Sequence, residues 1–148
     1  MASQFLYLEF FKNLLTGHFP SLETAEVRVA LLEETYTFSN THKDWGDVKN
    51  HESSGDGYTP GGVIIENRFV DIKWGDTIEL DTTLTPKETT FGDHLRTTAN
   101  FAVIYYNGGS SDSEKLLISC VIFDQKEAAL NDEFKLLWDT GIIGVWLG

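Results

Sequence analysis

The chain has 148 residues, of which 41% are apolar and 13% aromatic, and this composition fits one globular domain rather than a disordered chain. Its formal net charge of −12, without a cluster of Lys and Arg, disfavours binding to nucleic acid or to an anionic membrane. No apolar run reaches the roughly 20 residues that a membrane-spanning helix needs. The first residues also lack the basic region of a secretion signal, so we expect the mature chain to begin at or near Met1.

The first 17 residues predict a helix that is apolar around most of its circumference. Ser3 is the candidate N-cap and Gly17 the candidate residue after the C-cap. The polar positions fall on one narrow stripe at helical spacing, namely Glu9, Lys12, Asn13 and Thr16. Because the apolar arc is so wide, we expect this helix to be covered on most sides, either by its own domain or by a neighbouring subunit.

From residue 25 onward the pattern changes to that of β-strands. The segment "EVRVALL" alternates apolar and polar positions, and "TTANFAVIYY" is rich in β-forming residues. The segment "EKLLISCVIFD" is apolar on both faces, which is typical of a central buried strand. It contains Cys120, the sole cysteine, which excludes an internal disulfide and which we predict to be a buried, inert thiol.

The remaining segments predict further strands joined by turns. "GVIIENRFVDIKW" is one long strand or two pieces broken near Asn67, and "DTIELDTTL" is another strand. "NDEFKLLWDTGIIGVWLG" predicts two closing strands with Gly141 between them, while "KEAALNDEF" has room for a helical turn. The "NGG" and "DTG" turns are typical of antiparallel neighbours.

These elements predict a single domain over residues 1–148, with an N-terminal helix over 1–17 and a β-rich body over 25–148. The predicted fold is mainly β (α+β): an antiparallel β-sandwich or partly open barrel with the one helix packed on it.

The glycine-rich segment "HESSGDGYTPGGVII" is the first candidate for chemistry. A phosphate-binding loop needs a Gly-Lys-Ser/Thr ending ahead of a helix, and a dinucleotide loop needs a strand before it and a helix after it. Here the glycines lead into Val63, Ile64 and Ile65, which favour a strand. We therefore interpret the segment as a sharp bend that enters a sheet.

Residues 42–52 form the second candidate, since two histidines lie close to acidic residues. A zinc or calcium site is conceivable there, but the usual metal-binding spacings are absent, and Asp and Asn in loops favour turns. No strained nucleophile turn occurs either. We therefore predict no catalytic, metal-binding or cofactor-binding residues and no enzymatic activity.

The four tryptophans divide into two pairs. Trp74 and Trp138 lie in strand-like segments and are predicted to be core residues. Trp45 lies in a polar loop and Trp146 near the end of the sequence. Each is either an anchor in an interface or a ring packed on its own domain.

Several segments together resemble a family of small tailed-bacteriophage virion proteins. The resemblance rests on "VRVALLEETYTF", "THKDWGDV", "ESSGDGYTPGGVII" and "ANFAVIYYNGG", preceded by a helix such as "FLYLEFFKNLLTG", and it covers most of the chain. These motifs are structural, and the resemblance brings no list of functional residues. It implies a structural protein of the virion, best interpreted as a capsid decoration or cement protein.

The resemblance implies that the chain is made in the host cytoplasm and lies on the capsid surface, bound to the major capsid protein and to copies of itself as a dimer or trimer. A cement protein stabilises weak contacts of the shell through many copies. The contact residues that we predict are Phe5, Leu8 and Phe11 on the helix, with Trp45 and Trp146 as further ones. A neck, tail or fibre-attachment protein is the alternative, and a carbohydrate-binding β-sandwich module is a second one.

Overall fold

The structure is a computed structural model that describes residues 3–73, 75, 77–138 and 141–146, the last two through their backbone alone. The helices and strands, in chain order, are β1 (Ser3–Leu6), α1 (Leu8–Leu15), β2 (Val27–Leu32), β3 (Val63–Ile64), β4 (Arg68–Lys73), β5 (Thr77–Thr82), β6 (Glu88–Asn107), β7 (Lys115–Leu137) and β8 (Ile143–Trp146). Single 3-10 turns lie at Trp45–Asp47, Lys49–His51 and Asp112–Glu114. Within these ranges no helix has the length and hydropathy of a membrane span.

The strands form two antiparallel sheets that do not close into a barrel. Sheet A has the order β1-β7-β6-β2-β3, and sheet B has the order β4-β5-β8. The predicted fold class, a mainly β sandwich-like body with one N-terminal helix, is confirmed.

Sheet A carries an apolar core on each face. Alternate residues of β2 separate to the two sides: Val29 and Leu31 join the core shared with sheet B and α1, while Ala30 and Leu32 join a second core. The second core is closed by residues from the loop between β2 and β3, among them Tyr36, Trp45 and Val48. Two-sided burial explains why β2 and residues 116–123 of β7 are apolar at nearly every position, as predicted for central strands.

The N-terminal helix is shorter than predicted, because the first described residues form a strand. β1 pairs with residues 119–122 of β7, and the Tyr7 N–H continues the ladder by donating to the Ile118 carbonyl at 3.1 Å. This pairing satisfies backbone groups at the edge of sheet A, so tertiary hydrogen bonding outweighs the helical spacing of the side chains. Ser3 is therefore not the N-cap; Tyr7 occupies that position without a side-chain cap.

The predicted end of the helix is confirmed. Gly17 has φ +76°, a conformation that favours glycine, and the His18 N–H donates to the Asn13 carbonyl at 2.9 Å. This bond and the one from the Gly17 N–H to the Leu14 carbonyl form a Schellman motif.

Two other predictions concern the strands. The chain does break at Asn67, which has φ +53° between β3 and β4. The helical turn expected in "KEAALNDEF" is wrong, because these residues continue β7 opposite β6, with a bulge around Asn131 at φ +60°. Pairing along the whole of β6 fixes this segment as a strand despite its Ala and Glu content.

The glycine-rich segment is confirmed as a bend that enters a sheet. A Cβ at Gly62 (φ +79°) would lie 2.0 Å from the Val29 carbonyl oxygen, so only glycine allows the loop to approach β2 this closely. The loop is fixed by Glu52, whose carboxylate accepts from the Tyr58 hydroxyl at 2.8 Å and the Gly61 N–H at 2.7 Å. Burial raises the pKa of Glu52.

Candidate interaction surface

Helix α1 exposes an apolar stripe. Phe10 points into the core and is 3% exposed, whereas Leu8, Phe11 and Leu15 are 55%, 37% and 87% exposed. Their spacing of three and four residues places all three on one outward side of the helix. The fold of the chain therefore leaves the apolar side chains of this stripe exposed.

The apolar face of sheet B adjoins this helix and is covered at one end only. Leu80 and Ile143 are 4% exposed, while the next side chains along the same face, Val70 and Ile78, are 46% and 44% exposed. Ile72, paired with Ile78 across β4 and β5, is 68% exposed. Exposure rises along the face because α1 and the turn after it cover one end of it alone.

A groove of about 310 Å³ lies between α1, that turn and sheet B. Its walls are Phe10, Leu14, Pro20, Ser21, Leu22, Val70, Ile78, Leu80 and Ile143. We call the outward stripe of α1, this groove and the exposed end of the sheet B face together the α1–sheet B surface.

The charged residues nearest to this surface lie beside its apolar side chains. Lys12 lies 3.8 Å from Glu9 on the helix. Asp71 and Lys73 alternate with Val70 and Ile72, so they lie on the opposite face of β4.

The adjoining edge of sheet B, strand β4, is closed by carboxylates. The Val70 N–H donates to Glu23 at 2.8 Å, and the Ile72 N–H donates to Asp71 at 2.8 Å. These two groups point away from β5 and would otherwise be free to pair with another strand.

Three predicted contact residues are exposed, but they do not share one helix. Leu8 and Phe11 lie on α1, whereas Phe5 is 47% exposed on β1, where its ring lies 5.6 Å from that of Phe38. The prediction missed the sheet half of the surface. Alternation in "RFVDIK" places Val70 and Ile72 on one face of β4 and was the available signal.

The exposed fraction of each tryptophan side chain decides between its predicted roles. Trp45 is 7% exposed and stacks on Tyr105 at 4.8 Å, so it packs on its own domain and offers no anchor to a partner. Trp138 is 3% exposed and donates from Nε1 to Thr89 at 2.8 Å, which confirms it as a core residue. The predictions for Trp74 and for the side chain of Trp146 lie outside the described residues; the backbone of Trp146 pairs with Thr77.

The acidic residues of the 42–52 loop are turn-makers. The Asp44 side chain accepts from the Gly46 N–H at 2.9 Å, and the Asp47 side chain accepts from the Lys43 N–H at 2.7 Å. Nowhere in the described ranges do three His, Cys, Asp or Glu side chains gather as a metal site would require.

A buried polar network crosses the second core. The Tyr7 and Tyr36 hydroxyls are 2.9 Å apart, and Tyr36 also meets His42 Nδ1 at 2.8 Å. Burial raises the pKa of Tyr36 to about 12, and it raises the pKa of the neighbouring Cys120 thiol to about 12 as well. Cys120 is 0% exposed, so the prediction of a buried thiol is confirmed, and its raised pKa agrees with the predicted lack of reactivity.

Two buried carboxylates on β5 escaped the sequence analysis. Glu79 and Asp81 are 7% and 1% exposed, and Lys87 Nζ lies 2.7 Å from Asp81. Burial, and then the charge of Asp81, raises the pKa of Glu79; burial would also raise that of Asp81, but Lys87 and the Thr82 N–H outweigh it and hold the pKa low. Asp81 is held by Lys87 and by the Thr82 N–H, which are contacts within the fold, so we assign the pair a structural role.

No family model matches the chain, and no curated protein or solved structure matches it. Among the features of the described structure, the α1–sheet B surface has the largest group of exposed apolar side chains.

Proposed function

We propose that this chain is a non-enzymatic virion structural protein, and specifically a capsid decoration protein that binds and stabilises a shell of major capsid protein. The observation that carries the proposal is the α1–sheet B surface. Among the described residues eleven large apolar side chains are exposed, and seven of them lie on α1 or the adjoining face of sheet B. An apolar area concentrated in this way is typical of a protein that works by association.

The rest of the molecule supports an architectural role. The glycine-rich loop, the acidic loop and the buried thiol all serve the fold, through the contacts described above. The resemblance of "GYTPGG" and its neighbouring segments to tailed-bacteriophage virion proteins supports the same proposal. A decoration protein needs no reacting groups, because many weak contacts repeated over a shell stabilise it together.

The copy number of the chain in purified particles tests this proposal. Quantitative mass spectrometry would compare it with the major capsid protein in the same particles. A ratio near one, or a simple fraction of one, is the expected result, because decoration proteins occupy repeated positions on the shell. A copy number that fills only one ring per particle would instead assign the chain to the neck, tail or fibre attachment. Absence from particles would overturn the virion proposal and favour a carbohydrate-binding module.

A further inference from the structure

We propose that the partner on the α1–sheet B surface is a second copy of this chain, docked across a two-fold axis so that Leu15 of each copy enters the groove of the other. The inference deepens the proposed function and rests on it in treating this surface as an assembly interface. The partner that it names covers this surface, so the unit that meets the shell is a pair of chains.

The surface carries both halves of a self-complementary contact. Leu15 projects from α1 with 87% of its area exposed, and the apolar groove opens beside Leu14, its neighbour in the chain. A two-fold interface uses the same patch on both copies, so the patch must hold a projection and a matching depression. With the axis beside the C-terminal half of α1, each Leu15 faces the other copy's Val70 and Ile78.

The exposed area is sufficient for a dimer. A fully exposed side chain of this size presents on the order of 150–200 Å², so the seven exposed apolar side chains of the surface offer roughly 600 Å² per copy. Polar atoms at the margin add to this value. A specific interface buries about 600–1,000 Å² on each partner, so two copies meeting here fall within that range.

The local charges favour a like copy over a basic partner. Glu9 pairs with Lys12, and Asp71 and Lys73 lie on the opposite face of β4, so the apolar face presents few unpaired charges to attract a cationic segment. The repulsion between two copies comes instead from the overall charge of −12, which acts over distance and is screened by salt. Dimerisation should therefore strengthen with added salt, whereas binding to a basic partner would weaken.

The mass of the isolated full chain in solution tests the inference. Sedimentation equilibrium over a concentration series should show conversion of the 16.7 kDa monomer into a species of twice that mass. Raising NaCl from about 0.05 M to about 0.5 M should shift the conversion to lower protein concentration. Leu15→Lys should raise the dissociation constant at least about tenfold, because a charged group would enter the apolar groove.

A matched control keeps this test specific. Leu130 on β7 is 73% exposed but lies away from the surface, so Leu130→Lys makes the same chemical change and should leave the dimer unaffected. Ile72→Lys, on the sheet side, should weaken the dimer as Leu15→Lys does. All three positions are largely exposed, and thermal melting followed by circular dichroism should show folded variants.

A chain that stays monomeric at every protein and salt concentration would overturn the inference. Equal effects of Leu15→Lys and Leu130→Lys on the dissociation constant would overturn it as well. The result is separable from the proposed function. A monomeric chain that is abundant in particles would refute the second-copy partner alone. A dimer that is missing from particles would refute the virion role alone.

Discussion

Sheet A is covered on both faces, whereas the apolar face of sheet B is covered at one end. In sheet A, Val29 and Leu32 are 0% exposed on opposite sides of one strand. In sheet B, exposure along one face rises from 4% at Leu80 to 68% at Ile72. The contrast separates two uses of apolar surface: that of sheet A stabilises the fold, and part of that of sheet B remains available for association.

The largest expected effect comes from breaking the close approach of the glycine-rich loop to sheet A. A Cβ at Gly62 would lie 2.0 Å from the Val29 carbonyl oxygen, and neither backbone can move without disturbing β2. We expect Gly62→Ala to lower the free energy of unfolding by more than about 4 kcal/mol, or to prevent folding. Urea denaturation followed by circular dichroism measures this change.

Gly17→Ala is the matched control. Gly17 has nearly the same φ, +76° against +79°, but nothing lies within 4 Å of its added Cβ. Its loss should be about 1–2 kcal/mol, the cost of the left-handed conformation alone. Equal losses in the two variants would show that backbone conformation, and not the close approach, makes Gly62 necessary.

A smaller effect sharpens the comparison between the two sheets. Trp45→Ala removes a ring that stacks on Tyr105 in the second core, and we expect it to cost about 3–5 kcal/mol. Ile72→Ala on sheet B should cost less than about 1 kcal/mol, since the side chain is 68% exposed. Both values come from the same denaturation experiment on the isolated chain. A large loss for Ile72→Ala at low protein concentration would mean that the monomer itself buries this face.

The smallest expected effect is a pH dependence at Glu79. Because its folded pKa is raised, the folded state holds this proton more tightly than the unfolded state does. The resulting stabilisation is present below the ordinary pKa of about 4.3 and is lost as the pH rises through the folded pKa. We expect Glu79→Gln to gain stability relative to the wild type between about pH 4 and pH 7, by less than about 1 kcal/mol.

Asp81→Asn should show the opposite sign. The pKa of Asp81 is held low, so its stabilisation is present above the ordinary pKa of about 3.9 and is lost as the pH falls through the folded pKa. Melting temperatures across this pH range measure both variants. A parallel response of the two would contradict the assignment of opposite pKa shifts.

Local patterns predicted much of this fold because they report burial and turns. Alternation identified β2, the two-sided apolar pattern identified the first part of β7, and Gly17 marked the end of α1. The misses arise where tertiary pairing decides. Residues 3–6 have helical spacing but pair with β7, and residues 126–134 contain good helix formers but are held opposite β6.

The α1–sheet B surface was only half predictable for a related reason. Leu8 and Phe11 could be predicted because a wide apolar arc on one helix is visible in the sequence. The contribution of sheet B depends on how far α1 reaches across it, which no local pattern encodes. The polar neighbours of Trp45 left two roles open, an interface anchor or a ring packed on its own domain, and these neighbours make the 3-10 turn that directs it inward onto Tyr105. Glu79 and Asp81 could not be selected among 23 acidic residues without their burial.

The carboxylates along β4 have a consequence for how copies can grow into larger structures. An open strand edge beside an apolar face would let each arriving chain add another strand and leave a new open edge, which is the route to fibres. At this edge Glu23 and Asp71 already hold the N–H groups of Val70 and Ile72. Chains that meet here would associate through side chains, and contacts of this kind end when both faces are covered, so the pairs that we propose would stay closed and would not extend into fibres along β4.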